Sequence, residues 1–198
     1  MPMHVLTQSL RAARALAIAV AAFACASAFA QPAPARDFSQ LVALSAARLD
    51  LSRQVALTKW GTGQPVADPP GDPREQEVVA AASREASRRG LPGDVAAAFF
   101  SDQIEASKLV QFALIAEWQR AGRAPADRHA DLRSELRPAL DRLRPRLIDE
   151  LIATRVLREA GDCRQQLVHA TATHVARHRL RPLLAIALDR GLARVCGE

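Results

Sequence analysis

From Phe38 to Trp60 the chain runs twenty-three residues without a glycine or a proline. It then breaks on "GTGQPVADPPGDP", which holds three glycines and four prolines. Within the run, Leu41, Leu44, Leu51 and Val55 recur at the i, i+3, i+4, i+7 spacing of one helix face. The spacing predicts a helix over 38–60, stopped by the Pro/Gly segment. Arg48 and Lys59 are eleven residues apart. At about 100° per residue they fall within roughly 20° of each other, on that same apolar face. Arg53 points away from it. A core-facing stripe that carries two cations is the feature the rest of the chain has to explain.

The remaining sequence is rich in Ala, Leu and Arg, with few β-branched runs and no alternating segments. It reads as all-α, a single-domain bundle of about five to six helices. A second helix is expected from near Asp72 to Arg89, with Pro73 suited to the first helical position. "GLPGD" ends it. A third runs from Asp94 to Arg120 on the stripe Phe100, Gln103, Ser107, Val110, Gln111, Leu114 and Trp118. "AGRAPADRHA" reads as a loop. Two further helical stretches follow, Asp131 to Glu159 and Cys163 to Val195. Pro145 and Pro182 should kink or divide them, since an interior proline costs about 3 kcal/mol.

Arg11 and Arg14 precede the apolar run "ALAIAVAAFACASAFA", which ends in a small-x-small pattern. This is the pattern of a secretory leader cut after Ala30. It leaves a short disordered stretch at 31–37 and a helical domain over 38–198, in the periplasm or outside the cell. The run is too short and Ala-rich for a membrane span. A lipid anchor on Cys25 is the alternative, and Ala22 and Phe23 fit that poorly. Cys163 and Cys196 then remain, and two cysteines in an exported chain are most simply a disulfide. Two unpaired buried thiols are the alternative. Net charge is +6, of which the leader holds two arginines. No basic tract is interleaved with aromatics and there is no tyrosine, so nothing points to nucleic acid.

The third helix repeats the oddity of the first. Ser107 and Gln111 lie one turn apart on the face that Phe100, Leu114 and Trp118 should bury. A buried hydroxyl or amide without a partner costs about 1–3 kcal/mol. Arg74 and Glu75 open the second helix, and Arg137 lies beside a Leu132–Leu136–Leu143 stripe. Taken singly, such cations snorkel, burying the stem and wetting the head. Taken together, several cations and an amide converging in a bundle would form a pocket for an anionic small molecule. His174 and His178, with His169 nearby, have the spacing of a metal pair. No acid or cysteine completes the set, and no metal is expected. There is no Gly-rich phosphate loop, G-x-S-x-G or metalloprotease signature.

The stretches "LVALSAARLDLSRQVALTKW", "DPREQEV" and "FFSDQIEASKLVQFALIAEW", with Arg137 in "LRPALDRL" and the Cys163–Cys196 spacing, resemble the secreted, all-helical chorismate mutases of bacteria, the gamma subclass. The likeness spans Phe38 to Cys196. It implies the rearrangement of chorismate to prephenate in a helical bundle, with no cofactor, by a chain that is typically a homodimer. By the same resemblance, Arg48 and Arg137 would bind carboxylates. Lys59 would contact a carboxylate and the ether oxygen. Arg74 and Glu75 match an Arg-Glu pair at the start of the second helix, with Glu75 a candidate for the substrate hydroxyl. Ser107 would sit near a carboxylate and Gln111 beside the ether oxygen. The loop between Lys59 and Arg74 is about three residues longer than the family pattern. One residue is inserted before Arg137, and Arg133 is the alternative. The rival reading is a non-catalytic exported helical protein that binds a small dicarboxylate.

Overall fold

The computed structural model describes residues 36–67, 69 and 73–197. The leader at 1–30, and residues 31–35 of the stretch expected to be disordered, lie outside the described residues. Every regular element among the described residues is helical: α1 (Ser39–Thr62), α2 (Arg74–Arg88), α3 (Gly93–Ala121), a π-helical turn (Leu132–Leu136), α4 (Arg137–Ala153), α5 (Arg155–Arg158), α6 (Cys163–His178) and α7 (Pro182–Gly191).

α1 begins where Asp37 accepts a hydrogen bond from the Ser39 N–H at 2.8 Å. It ends at Gly63, whose φ of 68° is the left-handed geometry that closes a helix at little steric cost. α3 ends the same way at Gly122. These two helices run side by side in the same direction. Ser45 meets Gln103, Ser52 meets Ser107, and Trp60 meets Trp118 edge-on with ring centroids 6.1 Å apart. α4 runs the opposite way along α1. Thr58 pairs with the Ala130 carbonyl ahead of α4, whereas Arg48 faces Asp141 and Arg144 within it.

The core is filled where these helices meet, by Phe38, Leu41, Leu57, Phe99, Phe100, Leu147, Ile148, Leu151 and Leu188. α7 docks on α3 through the buried Asp102 carboxylate, which takes Arg194 at 2.8 Å and Arg190 beside it. Burial pushes the Asp102 carboxyl up, but the two guanidiniums outweigh it and hold the group below its usual range. A disulfide between Cys163 and Cys196 ties the start of α6 to the C-terminal turn.

Three boundaries differ from those the sequence suggests. Pro73 lies just before α2, with Arg74 its first helical residue; the Pro73 carbonyl accepts the first bond, from the Glu77 N–H. Pro145 does not divide its helix, for α4 continues across it. The break falls instead at Thr154, whose hydroxyl donates to the Glu150 carbonyl at 2.6 Å beside its own N–H, which reaches the same carbonyl at 2.9 Å. Pro182 does divide its stretch, opening α7. Near the other end of α4, Pro138 has no N–H to offer the preceding turn. That turn widens to π geometry, anchored by Asp131, which accepts from the Arg133 N–H at 3.0 Å and the Ser134 hydroxyl at 2.7 Å.

Candidate active site

The parallel register of α1 and α3 decides what their polar faces do. Arg48 and Lys59 on α1 turn toward Ser107 and Gln111 on α3, and α4 closes the third side. Between them lies a cavity of about 500 Å³. Arg48, Lys59, Arg74, Ser107, Gln111 and Arg137 all line it, with Arg133, Asp131, Asp141 and Arg144. Arg133 and Arg137 reach it together, so the inserted residue removes neither. Val55, Val78, Phe100 and Leu140 supply apolar wall.

Glu75 is not among the lining residues. It lies in the groove between α2 and α3, where Lys108 of α3 pairs with it at 3.1 Å. Lys108 is also held by Glu105 at 2.7 Å. His174 and His178 sit on α6 with their rings 4.3 Å apart and Asp50 facing them from α1, away from the cavity.

Two polar groups in the cavity, Arg48 and Gln111, each leave one buried atom without a partner. The Lys59 ammonium, 8% exposed, donates to the Val66 carbonyl at 2.7 Å. Gln111, 5% exposed, donates from Nε2 to the Ser107 hydroxyl at 3.0 Å and the Ser107 carbonyl at 3.2 Å, while its Oε1 has no partner. The Arg48 guanidinium is buried and its Nε is unpaired. Burial pushes its pKa down to about 10, Asp141 partly restores it, and Arg144 lowers it again. Arg144 spans the back of the cavity, bonding Glu85 of α2 and Asp141 of α4, each at 3.0 Å.

Sequence reasoning missed Arg144 and Asp141. Their signal was present: residues 137, 141 and 144 fall at the i, i+4, i+7 spacing of one helix face.

A cavity with cations on three walls and a neutral amide on one fits a small polyanion whose charge must be held in more than one place. The comparisons converge on one family with that need. The model of chorismate mutase type II matches residues 39–112, which span α1, α2 and most of α3. The chorismate mutase of Burkholderia phymatum is 41% identical and superposes with a TM-score of 0.77, covering 81% of this chain and 96% of that one. The chain belongs to the chorismate mutase family. A second chorismate mutase structure, from Burkholderia thailandensis, is 38% identical with a TM-score of 0.75, over 80% of this chain and 98% of that one. Among curated relatives, the secreted chorismate mutase of Mycolicibacterium smegmatis is 29% identical over 83% of this chain and 90% of its own.

The cost of Arg48 is testable apart from any ligand. Its pKa is lower in the folded chain than in the free residue. The charge therefore opposes folding fully at neutral pH and is relieved only as pH rises above about 10. Arg48→Met keeps the stem and removes the charge. It should raise unfolding stability by on the order of 1 kcal/mol, read by urea titration at pH 7, while binding of a dicarboxylate is lost. A destabilised variant would mean the guanidinium is well paired in the folded chain.

Proposed function

We propose that this chain is an exported chorismate mutase that rearranges chorismate to prephenate with the cavity between α1, α3 and α4. The observation that carries the assignment is the convergence of Arg48, Lys59, Arg74, Ser107, Gln111 and Arg137 on one space. Its volume of about 500 Å³ lies within the roughly 300–1,000 Å³ usual for small-molecule sites.

The reaction asks for these groups. Chorismate is a dicarboxylate. The ether C–O bond breaks as a C–C bond forms, in one cyclic shift of electrons with no proton transferred. A protein accelerates such a step by holding the compact conformer and by stabilising negative charge that grows on the ether oxygen. Arg48, Arg137 and Arg74 hold the two carboxylates, with Arg133 beside them and the Ser107 hydroxyl as a neutral donor. Lys59 reaches a carboxylate and the ether oxygen. Gln111 turns an amide N–H to the same oxygen by releasing its contact with the Ser107 carbonyl. Glu75 takes the substrate hydroxyl only if it leaves Lys108.

Export rests on the leader pattern and on the disulfide, and the curated relatives are named as secreted. The leader is removed after Ala30 and the helical domain spans 38–198. The mature chain pairs as a homodimer. Support for pairing comes from α3, which exposes Leu109 and Phe112, the latter 53% exposed.

Purified protein beginning at Gln31 should consume chorismate, followed by loss of its ultraviolet absorbance and by acid conversion of the product to phenylpyruvate. Binding without turnover would support the dicarboxylate-binding alternative. Lys59→Ala should lower kcat by about 100-fold or more, because its ammonium serves the transition state more than the ground state. Near-normal turnover would remove Lys59 from the reacting centre.

Gln111 sets the pH behaviour. An amide donates a hydrogen bond at any ordinary pH, whereas a carboxyl must be protonated to do so. The wild-type rate should be level across neutral pH. Gln111→Glu should be poor at neutral pH and recover as pH falls through its own carboxyl pKa. A variant with a level profile would place the ether oxygen elsewhere. Chain recovered from the periplasm should begin at Gln31 by mass and sediment at twice its chain mass. A retained leader or a single-chain mass would overturn the respective part.

A further inference from the structure

Ser52 does not line the cavity and has no part in the mechanism above. It lies on α1 one turn after Arg48, 1% exposed, behind the wall that Ser107 forms. Its Oγ is 2.8 Å from the Ser107 Oγ and 3.2 Å from the Arg48 carbonyl. Gln111 Nε2 approaches the same Ser107 Oγ at 3.0 Å.

A hydroxyl has one proton to donate and two lone pairs that accept. These three contacts therefore admit two proton arrangements. In one, Ser52 donates to Ser107, Gln111 donates to Ser107, and both Ser107 lone pairs are filled. Ser107's own proton is then left to point into the cavity. In the other, Ser107 donates to Ser52 and Ser52 donates to the Arg48 carbonyl. Ser107 then turns a lone pair toward the cavity, and a lone pair repels a carboxylate. Both arrangements use the 2.8 Å contact, and only the second needs the 3.2 Å contact to the Arg48 carbonyl, which is long for a hydroxyl donor; the distances favour the first.

We propose that Ser52 is a positioning residue for the proposed reaction: by donating to Ser107 it holds that hydroxyl as a donor toward an anion in the cavity. The proposal rests on the reading of Ser107 as a carboxylate ligand. A serine that merely satisfied its own helix would bond only to the carbonyl one turn back, a common habit of helical serines. That habit does not require a second hydroxyl at 2.8 Å, on another helix and already receiving an amide N–H.

The test is a double-mutant cycle read by steady-state kinetics on chorismate with the mature protein. Ser52→Ala should raise KM about three- to tenfold, the worth of one net hydrogen bond, with kcat changed much less. Ser52→Thr, which keeps the hydroxyl, should restore KM. In a Ser107→Ala background, Ser52→Ala should add no further change, since the group it orients is gone. An equal loss in both backgrounds would make Ser52 a packing residue and overturn the proposal, as would an unchanged KM in Ser52→Ala. If Ser107→Ala alone leaves KM untouched, the carboxylate role of Ser107 fails first and takes the proposal with it, while chorismate turnover by the wild type stands or falls separately.

Discussion

A guanidinium removed from water needs either a partner or a ligand, and Arg48 has only part of one. It sits on the inward face of α1 between Leu44 and Val55, both buried, at a position periodicity assigns to core. A closed core there would strand the charge at a cost of several kcal/mol. The fold avoids this by not closing. On the Arg48 side α4 brings Asp141 and Arg144 to the wall beside Leu140. The cavity is the consequence of a charge that cannot be buried dry.

The direction of α3 turns that consequence into a site. Because α3 runs parallel to α1, residues advance together along both helices, from Ser45–Gln103 through Ser52–Ser107 to Trp60–Trp118. The first contact is fully buried; Gln103 there donates from Nε2 to the Ser45 hydroxyl at 3.3 Å and to the Gly191 carbonyl at 2.8 Å, while its Oε1 has no partner. The middle contact faces the cavity. The last returns to packed aromatic rings. The polar groups of the two helices that line the cavity are thus confined to one length of their interface, with buried packing above and below. α7 and the Cys163–Cys196 link brace α3 from behind, through Asp102 and its two arginines.

Periodicity made part of this legible and could not reach the rest. The 3.6-residue repeat put Arg48 and Lys59 on one face and Ser107 and Gln111 on another, and those faces are indeed inward. It is a one-dimensional signal, so the meeting of the faces became visible only with the parallel register. Arg144 and Asp141 escaped notice because cations and acids one turn apart on an Arg-rich helix look like a solvated ion-pair face. Glu75 turned away from the cavity toward α3, where Lys108 offers it an ammonium that Glu105 also holds. Ser52 gave no signal at all, since a helical serine is nearly neutral in propensity and its importance lies in a contact fifty-five residues away. The helix break moved from Pro145 to Thr154 for a related reason. A proline costs a hydrogen bond wherever it falls, but packing on α1 and α2 can carry a helix across it.

The charge balance of the cavity bears on how the reaction would be divided among its residues. Six cations and two carboxylates line it among the described residues. Attraction to two substrate carboxylates is present before the barrier and at its top alike. It lowers KM and orders the conformer without by itself lowering the barrier from the bound state. Only groups near the ether oxygen meet charge that is absent at the start. On the proposed assignment the arginines would serve mainly capture and shape, and the rate would rest on Lys59 and Gln111. Of those two, the ammonium is already tied to the Val66 carbonyl and so is held in place before substrate arrives, which is the preorganisation that makes a charged donor effective. Gln111 is held instead through Ser107, and Ser107 through Ser52. The neutral donor thus depends on a chain of hydroxyls that leads away from the cavity, into the seam between α1 and α3.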